Sequence, residues 1–366
     1  MSEATAPVHD AAPRLPGPGE PVPTGRLSLR LPLGGGASLR VDARSAAVTA
    51  IAALLALVLA VLSLGWGDIV IPLRDVLASF TGEAGRKATL VVQEWRLGRA
   101  ELALLFGAAL GASGALFQSL TRNPLGSPDV IGFSSGAYTG ALLLMLFTAA
   151  SPLVLAAGSL VSGVIVALLV LALSARDGTT GFRLIVIGIG VGAVLASVNA
   201  YLLLVADQRL AMSAAVWGAG SLNSVAKAVV LPSAVAIGVF LVAALALQGR
   251  ARVMEQGEDF ACSLGVATRT TRYAVLVVGV GLVAVVTAAA GPIAFVALVA
   301  PQIAGRLTRR GELDIVPAAA IGALLLVASD IVARLAFAPL QLPVGIVTVC
   351  LGGAYLLVLL VKEARA

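Results

Sequence analysis

The sequence predicts an all-α integral membrane protein, and three observations support this prediction. Of the 366 residues, 59% are hydrophobic and 12% are charged, whereas charged residues make up about a quarter of an ordinary soluble domain. Apolar stretches of about 20 residues, the length that a helix needs to cross a bilayer, recur along the chain. The 40 glycines and the aromatic content of 5% are typical of membrane helices that pack through small residues, which favours a helical bundle over a β-barrel.

Residues 1–44 are the first predicted region, a disordered basic tail on the cytoplasmic side. This region is rich in Pro and Gly, holds five arginines and shows no apolar period, so it offers too little apolar surface to fold. The only histidine, His9, lies there and is not expected to bind a metal. The apolar run 46–65 that follows is too long for a signal peptide and has no convincing cleavage site, so we expect a retained first span.

Residues 45–366 are predicted to form one domain of ten membrane spans. At about 20 residues per span, the spans fall near residues 46–65, 100–120, 133–149, 152–174, 183–205, 229–248, 273–290, 292–306, 316–336 and 343–361. The eighth span is short and contains Pro292 and Pro301, which predicts a discontinuous or strongly tilted helix. Spans 2–5 and spans 7–10 are offset by five spans. Because five is odd, corresponding spans cross the membrane in opposite directions, so any structural relation between the two groups would be an inverted repeat.

The basic residues of the predicted loops orient this domain. With a cytoplasmic N-terminus, 17 of the 25 Lys and Arg residues fall on the inside, most of them close to span ends. This bias agrees with the excess of positive charge in cytoplasmic loops. Both chain termini are therefore predicted to be cytoplasmic.

Several function classes are disfavoured by what the sequence lacks. It contains no Gly-Lys-Ser or Gly-Lys-Thr sequence, and none of its three lysines lies in a phosphate-binding loop. It also lacks a metal-ligand cluster and a nucleophile elbow. The arginines lie at the ends of apolar runs and form no stripe for nucleic acid. We therefore predict no catalytic residue, no metal, no cofactor bound by this chain and no nucleic-acid partner.

A polar segment with two prolines, Gln118–Gly132, lies between two apolar runs and is called the hinge segment below. Non-helical backbone near a bilayer is tolerated only where protein buries it or water reaches it, so the segment is a loop or the wall of a pathway. The predicted topology places it at the cytoplasmic ends of spans 2 and 3, which favours a conformational joint. Asn123-Pro124 is expected to end one helix and Ser127-Pro128 to precede the next. The candidate hinge or pathway residues are Gln118, Asn123, Pro124, Pro128, Gly132, Gly136 and Pro301, and for the glycines helix packing is favoured over contact with a substrate.

The loop from Gln248 to Arg272 is the largest charged interruption on the predicted inside. Residues 258–264 within it are expected to form a short helix, because two acidic residues suit the positive N-terminal end of a helix and a glycine its C-terminal end. Phe260, Ala261 and Leu264 would then share one face, which is suited to the groove of a soluble partner. A helix lying against the membrane fits the same spacing equally well.

Ionisable residues lie near the predicted span ends, and the middle of the membrane is nearly free of charge. An ion-coupled carrier usually places such residues near the middle, so this pattern disfavours that class. Asp330 and Arg334, spaced i and i+4 on span 9, are expected to neutralise each other. This pairing is compatible with a docking role for Arg334 at the outer surface.

Several dispersed motifs occur in one order along the chain. They are Arg96-Leu97-Gly98-Arg99; Gly107, Gly111, Gly114 and Gln118; Asn123-Pro124-Leu125, Pro128, Gly132 and Gly136-Ala137; Gly257 to Gly265; Gly291-Pro292 to Pro301; Asp330 to Arg334; and Leu342-Pro343-Val344-Gly345-Ile346. In this order the chain resembles, over about residues 46–361, the permease family of ABC importers for iron-siderophores, cobalamin and haem. Their conjunction is far more specific than any one motif.

The resemblance implies an architecture and partners. In a type II ABC importer, two permease subunits of ten spans each, identical or paralogous, surround a central pathway in the bacterial inner membrane. Two separate ATPase subunits use ATP-Mg on the cytoplasmic side, and a substrate-binding protein docks outside. The chain would be a non-catalytic permease subunit that works by alternating access.

Residue roles also follow from the resemblance. Arg96, Arg99 and Arg334 would meet acidic residues of the binding protein, with anchoring at the membrane interface as the alternative. The inside helix would couple the permease to the ATPase through Gly257, Glu258, Asp259, Phe260, Ala261, Leu264 and Gly265.

The chain departs from the family pattern at three places. These departures affect the expected geometry around span 8 and around the arginines that would dock the binding protein. Gln302 stands where a histidine is common, Gly98 replaces a proline, and Gly353-Ala354-Tyr355 replaces a common Gly-x-Pro-x-Phe. Residues 123–133 are most similar to ferric-enterobactin permease subunits, which favours a catecholate or related ferric siderophore as the substrate. Cobalamin or haem transport, an ion-coupled secondary carrier, and an intramembrane enzyme or structural assembly subunit remain the alternatives.

Overall fold

The computed structural model describes residues 28–33, 37–148, 150–174, 181–223, 225, 227–338 and 340–363. Over these residues the fold is helical apart from one two-stranded sheet. The chain divides between Ala46 and Ala47 into a small N-terminal unit and a large unit. The all-α prediction is confirmed for the described residues of the large unit.

The N-terminal unit contains two strands where the composition predicts a disordered tail. β1 (Ser28–Leu33) and β2 (Ala37–Asp42) pair antiparallel, with Leu29 opposite Val41. In both segments Leu or Val alternates with other residues, and this period of two favours strands. The alternation explains why these two segments pair as strands, and the disordered tail stays a prediction. The first 27 residues of the predicted tail lie outside the described residues.

Helix α1 (Ala43–Gly65) begins three residues before the predicted first span. Asp42 precedes it, and its Oδ1 accepts hydrogen bonds from the backbone N–H groups of Arg44 at 2.9 Å and Ser45 at 3.2 Å. The first N–H groups of a helix have no carbonyl partner within the helix, and an aspartate at this position supplies one. Asp42 therefore fixes where α1 starts.

The remaining helices of the described residues follow in chain order. They are α2 (Leu73–Thr81), α3 (Arg86–Thr89), α4 (Leu97–Thr121), α5 (Phe133–Phe147), α6 (Pro152–Ser174), α7 (Gly181–Val205), α8 (Gln208–Gly218), α9 (Val230–Glu255), α10 (Glu258–Ser263), α11 (Thr268–Ala290), α12 (Val296–Thr308), α13 (Ile315–Leu335) and α14 (Val344–Glu363). A π-helical segment, Leu90–Arg96, joins α3 to α4, and 3-10 turns occur at Pro128–Ile131 and Lys227–Val229.

Each predicted span coincides with one helix, but not every helix is long enough to cross a bilayer. Seven helical segments of the described residues have the length and apolar composition for it, and they are Ala43–Gly65, Arg86–Thr121, Pro152–Ser174, Arg183–Val205, Lys227–Glu255, Thr268–Ala290 and Ile315–Leu335. The apolar parts of α5 and α14 are shorter, and α12 has 13 residues. The chain is a multi-pass membrane protein, whereas the count of ten spans and the inverted repeat stay predictions.

The eighth predicted span is irregular, as its prolines indicate. Pro292 lies in a non-helical stretch between α11 and α12, and Pro301 lies inside α12. Phe295 precedes α12 with a φ of 69°, an unusual value for a bulky residue. The predicted span therefore begins with four non-helical residues and continues as one short helix that includes Pro301, and whether it crosses the membrane stays a prediction.

Helix α4 lies at the centre of the packing, and it meets α13 backbone to backbone. A Cβ at Gly107 would overlap the Gly322 carbonyl, and a Cβ at Gly111 would overlap the Ala318 carbonyl. A Cβ at Gly322 would likewise overlap the Gly107 carbonyl. Small residues let membrane helices approach this closely, where van der Waals contact replaces the hydrophobic drive between helices.

Helices α4 and α12 also approach backbone to backbone, at a glycine of α4 and a carbonyl of α12 that a proline leaves without its helical hydrogen bond. Pro301 has no N–H, so it cannot donate the helical hydrogen bond that the Ala297 carbonyl would accept. A Cβ at Gly114 would overlap that carbonyl oxygen. Helix α4 therefore packs against α12 at the position where the internal hydrogen bonding of α12 is interrupted.

Candidate functional site

The hinge segment ends α4 and starts α5 in the way that its prolines predict. Helix α4 ends at Thr121, Arg122 has a left-handed φ of 48°, and the N–H of Asn123 donates to the Gln118 carbonyl at 3.2 Å. The side-chain oxygen of Asn123 then accepts a hydrogen bond from the Leu125 N–H at 2.8 Å, which is an Asx turn. The predicted break at Asn123-Pro124 is confirmed.

The second half of the hinge segment is a 3-10 turn with Pro128 in its first positions, ended by Gly132 at a φ of 77°. Ser134 donates a hydrogen bond to Asp129 Oδ1 at 2.6 Å. Burial raises the pKa of the Asp129 carboxyl, and the Ser134 hydrogen bond opposes that rise. A Cβ at Gly136 would press on Val166 of α6, so the contact at Gly136 is one of helix packing.

Two glutamine side chains connect the hinge segment to α12. Gln118 donates to the Leu298 carbonyl at 2.9 Å, and Gln302 donates to the Pro124 carbonyl at 2.7 Å. Both contacts join residues about 180 positions apart, and they lie on either side of Pro301. Gln302, a departure from the family pattern, therefore supplies a donor to the hinge segment.

Helix α10 and the residue after it present an apolar pair at the same end of the molecule as the hinge segment. The side chains of Phe260 and Leu264 are 52% and 60% exposed, whereas Ala261 is fully buried. The prediction that all three share one exposed face is wrong for Ala261. The reason is that α10 lies against α9 and α11, so one wall of this short helix must face inward, and the smallest of the three side chains does so.

Glu258 forms two ion pairs within the chain. Its carboxylate forms an ion pair with Arg272 of α11 and a second one with Arg122 of the hinge segment at 3.4 Å. Sequence reasoning assigned Glu258 to the helix N-terminus and missed both arginines, since they lie 14 and 136 positions away. Asp259, the next residue, is exposed.

A cavity of about 800 Å³ lies beside the hinge segment and α12. Its charged lining is mixed, with Arg122, Arg306, Arg310, Glu255, Glu312 and Asp314 among the residues around it. The loop that follows α12 is held against α9, because Arg252 donates to the Leu313 carbonyl at 2.6 Å and Glu255 accepts from the Leu313 N–H at 3.1 Å. These two hydrogen bonds hold one wall of the cavity, the loop after α12, against α9.

Arg96 and Arg99 lie at the opposite end of α4, about 30 Å from the start of the hinge segment at 1.5 Å per residue. Arg334 of α13 lies beside Arg99, because both contact Asp330. Arg96 donates to the carbonyls of Leu64 at 2.8 Å and Ile69 at 2.6 Å. The last carbonyls of a helix lack partners within it. Arg96, the final residue of the π-helical segment, thus satisfies a carbonyl at the end of α1.

Arg99 and Arg334 converge on one buried acid. Asp330 is 3% exposed and Arg334 is 6% exposed. The Arg99 Nε donates to Asp330 Oδ1 at 2.8 Å, and the Arg334 Nε lies 3.2 Å from Asp330 Oδ2. The predicted neutralisation of Arg334 by Asp330 is confirmed, while the Arg99 contact, across 231 positions, has no local sequence signal.

A second cavity, of about 590 Å³, lies between α5, α7, the end of α8 and the start of α14. Its polar lining includes Ser134, Ser135, Tyr138 and Asn199. The Tyr138 ring stacks on Trp217 with a centroid distance of 6.2 Å. These neutral hydroxyl and amide groups were missed by the sequence analysis, although an asparagine in an apolar run is a recognisable signal for a polar contact between membrane helices.

Asn199 holds α7 to α5 beside this cavity. It accepts a hydrogen bond from Thr139 at 2.7 Å and donates to the Ser135 carbonyl at 3.3 Å. One edge of the cavity is a junction of helix ends, where the Gly345 N–H donates to the Gly220 carbonyl at 3.1 Å. The cavity wall is thus made of both rigid hydrogen-bonded helices and helix termini.

Comparison with known proteins places the chain among iron-transport permeases. The model of the FecCD transport family matches residues 54–362. The ferric enterobactin transport system permease protein FepG of Escherichia coli (strain K12) is 49% identical over 299 residues, which are 82% of this chain and 91% of that protein. The Fe(3+) dicitrate transport system permease protein FecD of the same organism is 35% identical over 309 residues, 83% of this chain and 94% of that protein.

A solved structure shows a similar fold. It is described as an inward-facing conformation of a metal-chelate type ABC transporter, with a TM-score of 0.75 and 26% sequence identity. The match covers 87% of this chain and 99% of that one. The sequence resemblance stated above is therefore confirmed.

Proposed function

The chain belongs to the FecCD transport family, and from this membership we propose that it is the permease subunit of an ATP-driven importer of ferric siderophores. The observation that supports ATP-driven transport best is the exposed pair formed by Phe260 of α10 and Leu264, the residue that directly follows α10. An apolar helix face of this kind suits the groove of a soluble protein. ATP hydrolysis would take place in that partner and not in this chain.

A catecholate siderophore such as ferric enterobactin is the favoured substrate. The relative that transports ferric enterobactin is 49% identical, whereas the ferric dicitrate relative is 35% identical. Cobalamin or haem is the alternative substrate. It would require a pathway that differs from that of the ferric enterobactin relative in spite of the 49% identity. The chain itself is proposed to bind no cofactor, and ATP-Mg would be held by the ATPase.

The proposed assembly has two permease subunits, identical or paralogous, two ATPase subunits and a substrate-binding protein. The chain would cross the bacterial inner membrane ten times, with α5, α12 and α14 completing the seven longer segments, and both termini in the cytoplasm. The end that holds α10 and the hinge segment would then face the cytoplasm. The excess of Lys and Arg in the loops of that end supports this orientation.

The binding protein would dock at the opposite end. The role of Arg96, Arg99 and Arg334 in this docking stays a prediction, and the burial of Arg99 and Arg334 on Asp330 adds a condition to it. An acidic residue of the binding protein would have to compete with Asp330 for these two arginines. Arg96 is half-buried and donates hydrogen bonds to two backbone carbonyls. An acidic residue of the binding protein would have to compete with these carbonyls for Arg96.

The same buried cluster argues against the ion-coupled carrier. A proton-coupled acid must change its protonation state during transport. Asp330 is 3% exposed and lies within ion-pair distance of two arginines, one from α4 and one from α13. Its contacts are those of a structural ion pair between these two helices.

The cavity of about 590 Å³ is proposed to be part of the substrate pathway. Replacing Ala196, which lines it on α7, by tryptophan should fill much of the space and reduce siderophore uptake about tenfold or more, while the protein still inserts and the ATPase still binds. Uptake of radioactive iron as the ferric siderophore measures this. Val194, 65% exposed and absent from the cavity lining, gives the control Val194→Trp, and equal loss in both variants would contradict the pathway assignment.

Reconstitution with the ATPase, the second permease and the binding protein tests the function itself. ATP should drive siderophore uptake into vesicles, and the double variant Phe260→Asp/Leu264→Asp should abolish it, because charged side chains are excluded from an apolar groove. The apolar variant Phe260→Leu/Leu264→Met should retain uptake. Uptake by the wild-type chain without any ATPase would sink the proposal in favour of a secondary carrier.

A further inference from the structure

We propose that the hinge segment transmits movement of α10 to α12 through two side-chain contacts, Arg122 with Glu258 and Gln302 with the Pro124 carbonyl. The proposal rests on the proposed function, in which an ATPase moves α10. It assigns to Glu258, Arg122 and Gln302 the role of positioning residues. None of the three needs to touch substrate or nucleotide.

The first step is that α10 is flanked by two glycines and is joined to α11 and to the hinge segment by the ion pairs of Glu258. Gly257 and Gly265 at its two ends have φ values of 128° and 78°, and a Cβ at either would meet nothing within 4 Å. Backbone of this kind bends at little steric cost. Glu258 holds the helix instead, through its ion pairs with Arg272 and Arg122, so a shift of α10 displaces the carboxylate that both arginines face.

The second step is that the turn at residues 122–126 is too constrained to absorb such a shift. Pro124 has a fixed φ, and the Asn123 side chain and carbonyl accept hydrogen bonds from the N–H groups of Leu125 at 2.8 Å and Gly126 at 2.9 Å. The turn should therefore move as a rigid body, so that a displacement of Arg122 also displaces Pro124.

The third step is that α12 receives this movement at its weakest point. Gln302 holds the Pro124 carbonyl at 2.7 Å, and Gln118 holds the Leu298 carbonyl at 2.9 Å. These contacts lie on either side of Pro301, where the helix lacks an internal hydrogen bond and bends more easily. The cavity of about 800 Å³ alongside leaves room for the bend.

The last step leads to the proposed pathway. Pro292 and Ala294, just before the start of α12, line the cavity of about 590 Å³. Bending of α12 at Pro301 moves its N-terminal half relative to its C-terminal half, and so changes the wall of that cavity. The contacts thus form one continuous connection from α10 to the pathway, of the kind along which energetic coupling between two sites can be carried.

A double-mutant cycle in the reconstituted complex tests this connection. The measured quantity is the number of ATP molecules hydrolysed per siderophore imported. Arg122→Gln and Gln302→Met should each raise it about threefold to tenfold, a range typical of residues along a coupling network. The double variant should be no worse than the more affected single variant, because both contacts act through the same turn.

Matched controls separate this role from ordinary stability. Arg250→Gln and Gln256→Met make the same changes at exposed positions at the cytoplasmic end and should leave the ratio unchanged. Arg122→Lys and Gln302→His, which keep a cation and a donor, should restore it. If Arg122→Gln fails to assemble, Glu258→Gln removes the same ion pair and takes its place in the cycle.

Each outcome decides the proposal. Unchanged ratios in both single variants, or effects that multiply in the double variant, would overturn the connection while wild-type uptake leaves the proposed function standing. Absence of ATP-driven uptake in the wild-type complex would overturn the proposed function and this inference with it.

Discussion

Replacement of Gly111 by leucine should remove nearly all correctly folded protein from the membrane. The backbone of α4 touches that of α13 at this position, and even a Cβ would overlap the Ala318 carbonyl. Overpacking of a side-chain core costs about 1 to 3 kcal/mol, because neighbouring side chains can move aside. Here the neighbour is a helix backbone that cannot yield without separating α4 from α13, so we expect a larger cost.

Gly238 provides the matched control for this prediction. It lies in α9, is exposed, and has no atom within 4 Å of the position where its Cβ would be. Gly238→Leu should therefore leave the yield and the thermal stability close to those of the wild-type protein. Both are measured as the monodisperse fraction in mild detergent, before and after heating. A Gly111→Leu protein with normal yield and melting temperature would show that the close approach of α4 and α13 contributes little.

Replacement of Asp330 by asparagine should destabilise the protein by about 3 kcal/mol or more, the usual cost of leaving a buried charge without its partner. The neutral amide would leave Arg99 and Arg334 facing each other without a counter-ion in a site that is almost fully buried. Because the two arginines come from α4 and α13, their repulsion should loosen the ends of these helices that hold the cluster. The measurement is the thermal unfolding of the purified protein.

The exposed pair of Arg74 and Asp75 offers the comparison. Arg74 has 90% of its side chain exposed, and surface pairs of this kind contribute about 1 kcal/mol or less. Asp75→Asn should therefore change the unfolding temperature very little. Equal effects of the two substitutions would mean that the Asp330 cluster is not a structural centre, and would restore a free docking role to its arginines.

The membrane class, the positions of the helices and the break at the hinge segment follow from local sequence. A run of about 20 apolar residues needs no knowledge of its neighbours to be assigned as a span. Beyond the first turn of a helix, proline removes a helical hydrogen bond because it lacks an N–H, and this predicted both the end of α4 before Pro124 and the irregular segment before α12. The family resemblance likewise depended on the order of motifs along the chain and not on contacts between them.

Only the tertiary structure decided which side chains face one another. Ala261 turns inward while Phe260 and Leu264 stay exposed, Glu258 pairs with Arg122, and Arg99 reaches Asp330. In a soluble protein the apolar side of a helix indicates its buried face. In a membrane helix the lipid-facing and protein-facing sides are both apolar, so the sequence determines that a helix spans but not how it is rotated about its axis. That rotation depends on packing against the other helices, and it is what places these residues together.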